Sequence, residues 1–167
     1  TRRVLRRVRE IGGTRVTMGY TMVTGLMSGS FFGYLNSSQQ IFQLQYGLGR
    51  MFPLYFAALA FSFGLATLLN TRLVVLFGMR LLAGTGLVSI AVVSMVFLPF
   101  SWSLAGHPPL WALMIYLLLS FFAMGMLFGN LNALAMEPLG HVAGTGSAFV
   151  GSVSTLTAVA AGVTIGQ

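Results

Sequence analysis

Five stretches of this chain, at roughly residues 16 to 36, 51 to 69, 81 to 101, 109 to 133 and 142 to 165, are apolar and contain no lysine, arginine, aspartate or glutamate. Each is near the length of helix that crosses the hydrocarbon of a bilayer. In lipid every backbone N–H and C=O must find a partner within the protein, which leaves helices and closed barrels. The alternating polar and apolar pattern of a membrane barrel is absent, so the five stretches are expected to be helices. The fold class that follows is all-α, a polytopic transmembrane helical bundle of five spans.

Charge distribution supports that reading. The chain is 56% hydrophobic and only 7% charged, too few charges to cover a water-soluble globule. Its formal charge of +7 is concentrated at one end, where Arg2, Arg3, Arg6, Arg7, Arg9 and Arg15 fall within the first fifteen residues. A nucleic-acid face would interleave basic and exposed aromatic residues, whereas the fourteen phenylalanines sit inside the apolar runs. With residues 1–15 as a basic cytoplasmic loop, Arg72 and Arg80 share their side and Arg50 lies opposite, which is a positive-inside bias. A signal peptide fits poorly, because the first apolar run is too long and no small-residue cleavage site follows it. The loops near 70 to 80 and 134 to 141 then face the cytoplasm, and those near 37 to 50 and 102 to 108 face outward. Cysteine is absent, so disulfides and thiolate metal sites are excluded.

Small residues recur every fourth position in three spans. Thr17, Thr21, Gly25, Gly29 and Gly33 form one stripe, Gly125, Gly129 and Ala133 another, and Ser154, Ala158, Gly162 and Gly166 a third. Such stripes let helix backbones approach closely in lipid.

No ionisable group falls near the middle of a span. Glu137, the only acid after Glu10, lies at the end of the fourth span beside Pro138, with His141 four residues on. Pro138 and Gly140 favour a broken helix there, and hence an ion pair or cap in a loop over a proton relay. His107 lies on the opposite membrane face from His141, so no metal cluster forms, and no catalytic residues or enzyme activity are expected. What remains inside the spans is uncharged polarity mixed with methionine and aromatic rings. Tyr20, Met27, Phe31, Tyr34, Met126, Asn130, Asn132 and Ser154 are candidates to wall a cavity for amphipathic small molecules. Helix packing accounts for the same residues one by one, although Asn130 and Asn132 each need a polar partner in apolar surroundings.

The run from Gly129 to His141, followed by Ala143 and Gly144, resembles the tenth helix and following loop of major facilitator transporters of the Bcr/CflA drug-resistance type. Residues 147–167 are similar to the eleventh helix, the first span with Phe31, Tyr34, Ser37 and Ser38 to the seventh, and residues 43–80 to the eighth and its loop. Leu73, Gly78 and Arg80 match the cytoplasmic loop motif of the superfamily, but the motif's acid and first arginine fall on Val75 and Leu76. The resemblance marks Arg72, Gly78, Arg80, Glu137 and His141 as cytoplasmic gate candidates.

The resemblance implies that residues 16–167 are five spans of one six-helix repeat, the C-terminal half of a multidrug efflux antiporter in a bacterial inner membrane. A start at Thr1 and an odd number of spans lead to the expectation of a chain truncated at both ends. The implied coupling ion is the proton, with no other cofactor. The implied partners are the lipid bilayer, a missing N-terminal half carrying the proton-binding acid, and a small-molecule substrate, with no nucleic acid. An uptake carrier on the same scaffold and a non-transporting membrane scaffold or assembly subunit remain as alternatives.

Overall fold

The protein is represented by a computed structural model that describes residues 12–165, apart from the side chains of His141 and Ile165. Arg2, Arg3, Arg6, Arg7, Arg9 and Gly166 lie outside the described residues. Among the described residues five long helices follow one another: α1 (Arg15–Gln39), α2 (Phe52–Phe77), α3 (Met79–Ser103), α4 (Leu110–Met136) and α5 (Ala143–Ile165). Among the described residues there is no strand, and the chain is an all-α membrane protein.

Among the described residues four helical stretches, Gly49–Phe77, Met79–Ser103, Leu110–Gly140 and Ala143–Thr164, are long and apolar enough to cross a membrane. At 25 residues, α1 has the length, but its four glycines and its serines and threonines dilute the apolarity. Three of those glycines and two of the threonines belong to the stripe described above, so part of what weakens the hydropathy signal is what permits close packing.

The helices run past their apolar windows. The loop expected near 70 to 80 is helical through Phe77, and Gly78 alone separates α2 from α3. Leu73, Val74, Val75 and Leu76 continue the helix without a breaker, and Gly78 ends it at φ 79° and ψ 155°, with its N–H donating to the Val74 carbonyl. That backbone conformation is essentially reserved for glycine. Gly78→Ala is expected to destabilise the protein by about 1–3 kcal/mol, although nothing crowds the position. A thermal melt in detergent unchanged from the parent would show that the turn carries no such constraint.

The loop expected near 134 to 141 is likewise mostly helical, with α4 continuing to Met136 and a 3-10 turn over Glu137–Val142. Pro138 occupies its first turn, where a missing N–H is harmless. The stretch expected as a loop from 37 to 50 includes the end of α1, a π-helical segment Gln40–Gln45 and a 3-10 turn Gly49–Met51. Between α3 and α4 a short turn includes Ala105 and Gly106, both at positive φ.

The chain divides into two compact units. The first contains α1, α5 and the end of α4 from Leu131 onward, and the second spans Ile41–Asn130, with α2, α3 and most of α4. In the first unit α1 and α5 pack along their lengths.

Candidate functional site

The seam between α1 and α5 is built from two of the small-residue stripes. Thr17, Thr21, Gly25, Gly29 and Gly33 are all buried on α1, as are Ala158 and Gly162 on α5. A Cβ added to Gly25 would lie 2.6 Å from Thr157 Cβ and 2.9 Å from the Ser154 carbonyl oxygen. One added to Gly29 would lie 2.6 Å from Ala161 Cβ and 2.8 Å from the Ala158 carbonyl oxygen. The hydroxyls here are largely turned back on backbone carbonyls. Thr21 donates to Thr17 O at 2.6 Å, Thr24 to Tyr20 O at 2.8 Å, and Thr157 to Val153 O at 2.9 Å. Ser154 crosses the seam, its Oγ donating to Thr21 O at 3.2 Å. The Ser154 side chain therefore ties two helices together.

Of the other candidates on α1, Tyr20, Met27, Phe31 and Tyr34 follow a helical register that places them on one face. Tyr20 packs against the buried cluster of Ala135, Leu139 and Val150, so its ring belongs to the core of the first unit. Met27 is buried, whereas Phe31 and Tyr34 are half-buried. Phe31 meets Phe32 edge-on at 6.0 Å. Asn132, on the last turns of α4, is exposed.

In the second unit α2 and α4 are joined by a ladder of polar contacts. Ser62 Oγ donates to the Leu118 carbonyl at 2.9 Å, and Thr67 Oγ1 reaches the Gly125 carbonyl at 3.2 Å. Asn130 Nδ2 donates to Asn70 Oδ1 at 2.7 Å and to the Met126 carbonyl at 2.9 Å. Asn130 is only 3% exposed, and both of its amide hydrogens have acceptors. Its place is a bond between helices. Gly125 makes the close approach possible, because a Cβ there would collide with the Phe63 carbonyl oxygen and Ala66 Cβ. Met126 is half-buried and lines a groove between α3 and α4 with Thr85 and Ser89.

Asn70 was missing from the candidates because it follows the last residue of its apolar window. The signal that could have found it is the continued absence of a helix breaker from Asn70 to Phe77. A second unforeseen group joins the π-helical segment to the α3–α4 turn. Gln45 Nε2 lies 3.1 Å from His107 Nδ1, and the Tyr46 hydroxyl donates to the Pro108 carbonyl at 2.5 Å. Partial burial raises the Tyr46 pKa above its ordinary value, which keeps the phenol protonated as this donor.

The gate candidates are distributed over both units. In the second, Arg72 is exposed on the last turns of α2, Gly78 is the turn itself, and Arg80 is exposed in the first turn of α3. In the first, Glu137 is exposed at the start of the 3-10 turn, where residues three apart, rather than four, eclipse one another. The side chain of His141 lies outside the described residues. Among the described residues, no three histidine or acidic side chains come together as a metal site would require.

No family profile matches the chain, and no solved structure matches it. Over 150 residues it is 28% identical to YdgK of Bacillus subtilis (strain 168), named as an uncharacterized MFS-type transporter. That match covers 85% of this chain but 35% of the relative, so the chain spans about a third of the length of the protein it resembles. The similarity supports a relationship to the major facilitator superfamily.

Proposed function

We propose that this chain forms part of a proton-coupled exporter of small amphipathic compounds. The 150-residue similarity to an MFS-type transporter carries the transport reading. Its substrate class follows from the chemistry of α1, where Met27, Phe31 and Tyr34 share a face with no charged residue. Methionine and aromatic walls adapt to guests of different shape, and an uncharged wall suits substrates held by apolar contact with a few hydrogen bonds. In this reading Asn132 offers a free amide to the substrate, and Arg72, Gly78, Arg80 and Glu137 belong to the gate on the cytoplasmic side. The carboxylate that takes the coupling proton lies in transporter segments beyond these residues, since no span here contains an acid.

Flux in proteoliposomes carrying an imposed pH gradient tests the proposal. The expected result is proton-dependent export of apolar and weakly polar dyes. Asn132→Leu is expected to shift the preference between a hydrogen-bonding substrate and its apolar analogue by about tenfold, the effect of one hydrogen bond, with the melting temperature unchanged. Asn130→Leu is expected to lower stability by about 1 kcal/mol and leave that preference in place. Uptake under the same gradient would reverse the direction assigned, and no flux in either direction would remove the transport reading.

A further inference from the structure

The end of α1 runs on into the π-helical segment Gln40–Gln45, which is fastened at two points. Near its base Phe42 is fully buried, with its ring 5.9 Å from that of Phe52 and 6.3 Å from that of Tyr55. At its tip two consecutive residues reach the turn between α3 and α4. Gln45 Nε2 lies 3.4 Å from the Gly106 carbonyl oxygen and 3.1 Å from His107 Nδ1, and the Tyr46 hydroxyl donates to the Pro108 carbonyl. Beyond Tyr46 the chain turns at Gly47 and Gly49, both at positive φ. Residues 42–48 thus form a strap across the turn, and all of these contacts lie within the second unit.

The partners in this strap fix the protonation state that it needs. A carbonyl oxygen only accepts, so the Gly106 carbonyl decides which end of the Gln45 amide faces the turn, and that end is the donating NH2 group. Its two hydrogens suffice for the carbonyl and for the ring nitrogen. His107 Nδ1 must therefore accept, which it does only in the neutral imidazole with the proton on Nε2. A second proton turns Nδ1 into a donor facing a donor. If the amide then turned over to offer its oxygen to the ring, the Gly106 carbonyl would lose its own donor. Protonation costs the strap one hydrogen bond in either arrangement.

Histidine is the side chain whose charge ordinarily changes between about pH 5 and 8. His107 is exposed, so protons reach it. The other ionisable groups on the neighbouring stretches are Tyr46, Arg50 and Tyr55, between the π-helical segment and the first turn of α2, and Tyr116 on α4. Phenol and guanidinium groups keep their charge state over that range. Arg72 and Arg80 lie toward the opposite ends of α2 and α3, roughly 30 Å along those helices.

We propose that this strap is an acid-released latch: with His107 neutral the π-helical segment is fastened to the α3–α4 turn through both Gln45 and Tyr46, and with His107 protonated the Gln45 attachment fails. The latch is complete above the range in which the imidazole takes up its proton and loosens as pH falls through it. With the orientation expected from the arginines, both pieces lie on the outer face. The latch then senses the pH of the side to which the proposed exporter releases its substrate, a consequence that rests on that reading. The switch itself depends only on the contacts of Gln45 and His107.

Hydrogen exchange of the whole chain in nanodiscs, without substrate or gradient, tests the latch separately from transport. The reporters are the Tyr46 and Leu48 amides, which donate to the Ile41 and Phe42 carbonyls at 3.2 and 3.0 Å. After correction for the intrinsic effect of pH on exchange, both are expected to exchange about fivefold faster at pH 5 than at pH 8, the effect of one hydrogen bond, with α5 unchanged. His107→Asn keeps an acceptor near the place of Nδ1 without a titrating group, and should hold the slow rate at both pH values. Gln45→Met removes the donor and should give the fast rate at both. Tyr46→Phe should raise both rates and leave their ratio near fivefold. Equal protection of the parent at the two pH values, or a pH dependence that persists in His107→Asn or Gln45→Met, would overturn the latch.

Discussion

Gly29→Val is expected to force α1 away from α5 and lower the melting temperature of the detergent-solubilised protein by several degrees. Even the first added carbon meets Ala161 Cβ at 2.6 Å and the Ala158 carbonyl oxygen at 2.8 Å. Neither neighbour is the movable end of a long side chain, so relief requires a shift of the helices. Overpacking of this kind costs about 1–3 kcal/mol. Gly25→Val meets the same obstacle in Thr157 and the Ser154 carbonyl, and would also strain the Ser154–Thr21 hydrogen bond. The two effects should not add, because separation at one glycine relieves the other. Gly29→Ala paired with Ala161→Gly should recover only part of the loss, since the Ala158 carbonyl remains in place. Gly19→Ala is the control. Nothing lies within 4 Å of its added carbon, and the change is expected to be neutral or stabilising by up to about 1 kcal/mol. A Gly29→Val protein that melts with the parent would mean that the seam is not packed as described.

The second large effect is expected at Gly125, where a valine would be driven into the Phe63 carbonyl oxygen and Ala66 Cβ. The collision itself costs up to about 3 kcal/mol. Parting α2 from α4 would also stretch three hydrogen bonds, those from Ser62, Thr67 and Asn130, at about 0.6 kcal/mol each in a membrane protein. Faster amide exchange along α2 and α4, with α1 and α5 unaffected, is the expected signature. The polar part can be isolated with a double-mutant cycle on Asn70→Ala and Asn130→Ala, for which a coupling between about 0.6 and 1.7 kcal/mol is expected. A coupling near zero would show that the asparagines are neighbours without an energetic bond.

These contacts separate what the residue order makes legible from what it does not. The stripes on α1, α4 and α5 are periodic and local, so they are visible as spacing. That α1 and α5 would be partners is not, because a small-residue face admits any similar face and carries no address. Asn130 shows the same limit. An amide in apolar surroundings announces that it needs a partner, but a substrate, a water and Asn70 would all satisfy it equally. Only the apposition of α2 and α4 chooses among them. For that reason the bond of Ser154 to α1 and the packing of Tyr20 on the core of the first unit are visible only in the folded chain, as is the exposure of Asn132.

Membrane residence, all-helical structure and the places where helices must come close were determined by the sequence itself. They rest on the cost of uncovered backbone in lipid and on side-chain size, both properties of residues a few positions apart. Tertiary structure decided which stripes meet, that Gly78 alone turns the chain between α2 and α3, and that Gln45 and Tyr46 are tied to the α3–α4 turn. Those outcomes depend on the simultaneous fit of residues distant along the chain, where steric complementarity selects one arrangement among many that composition would allow.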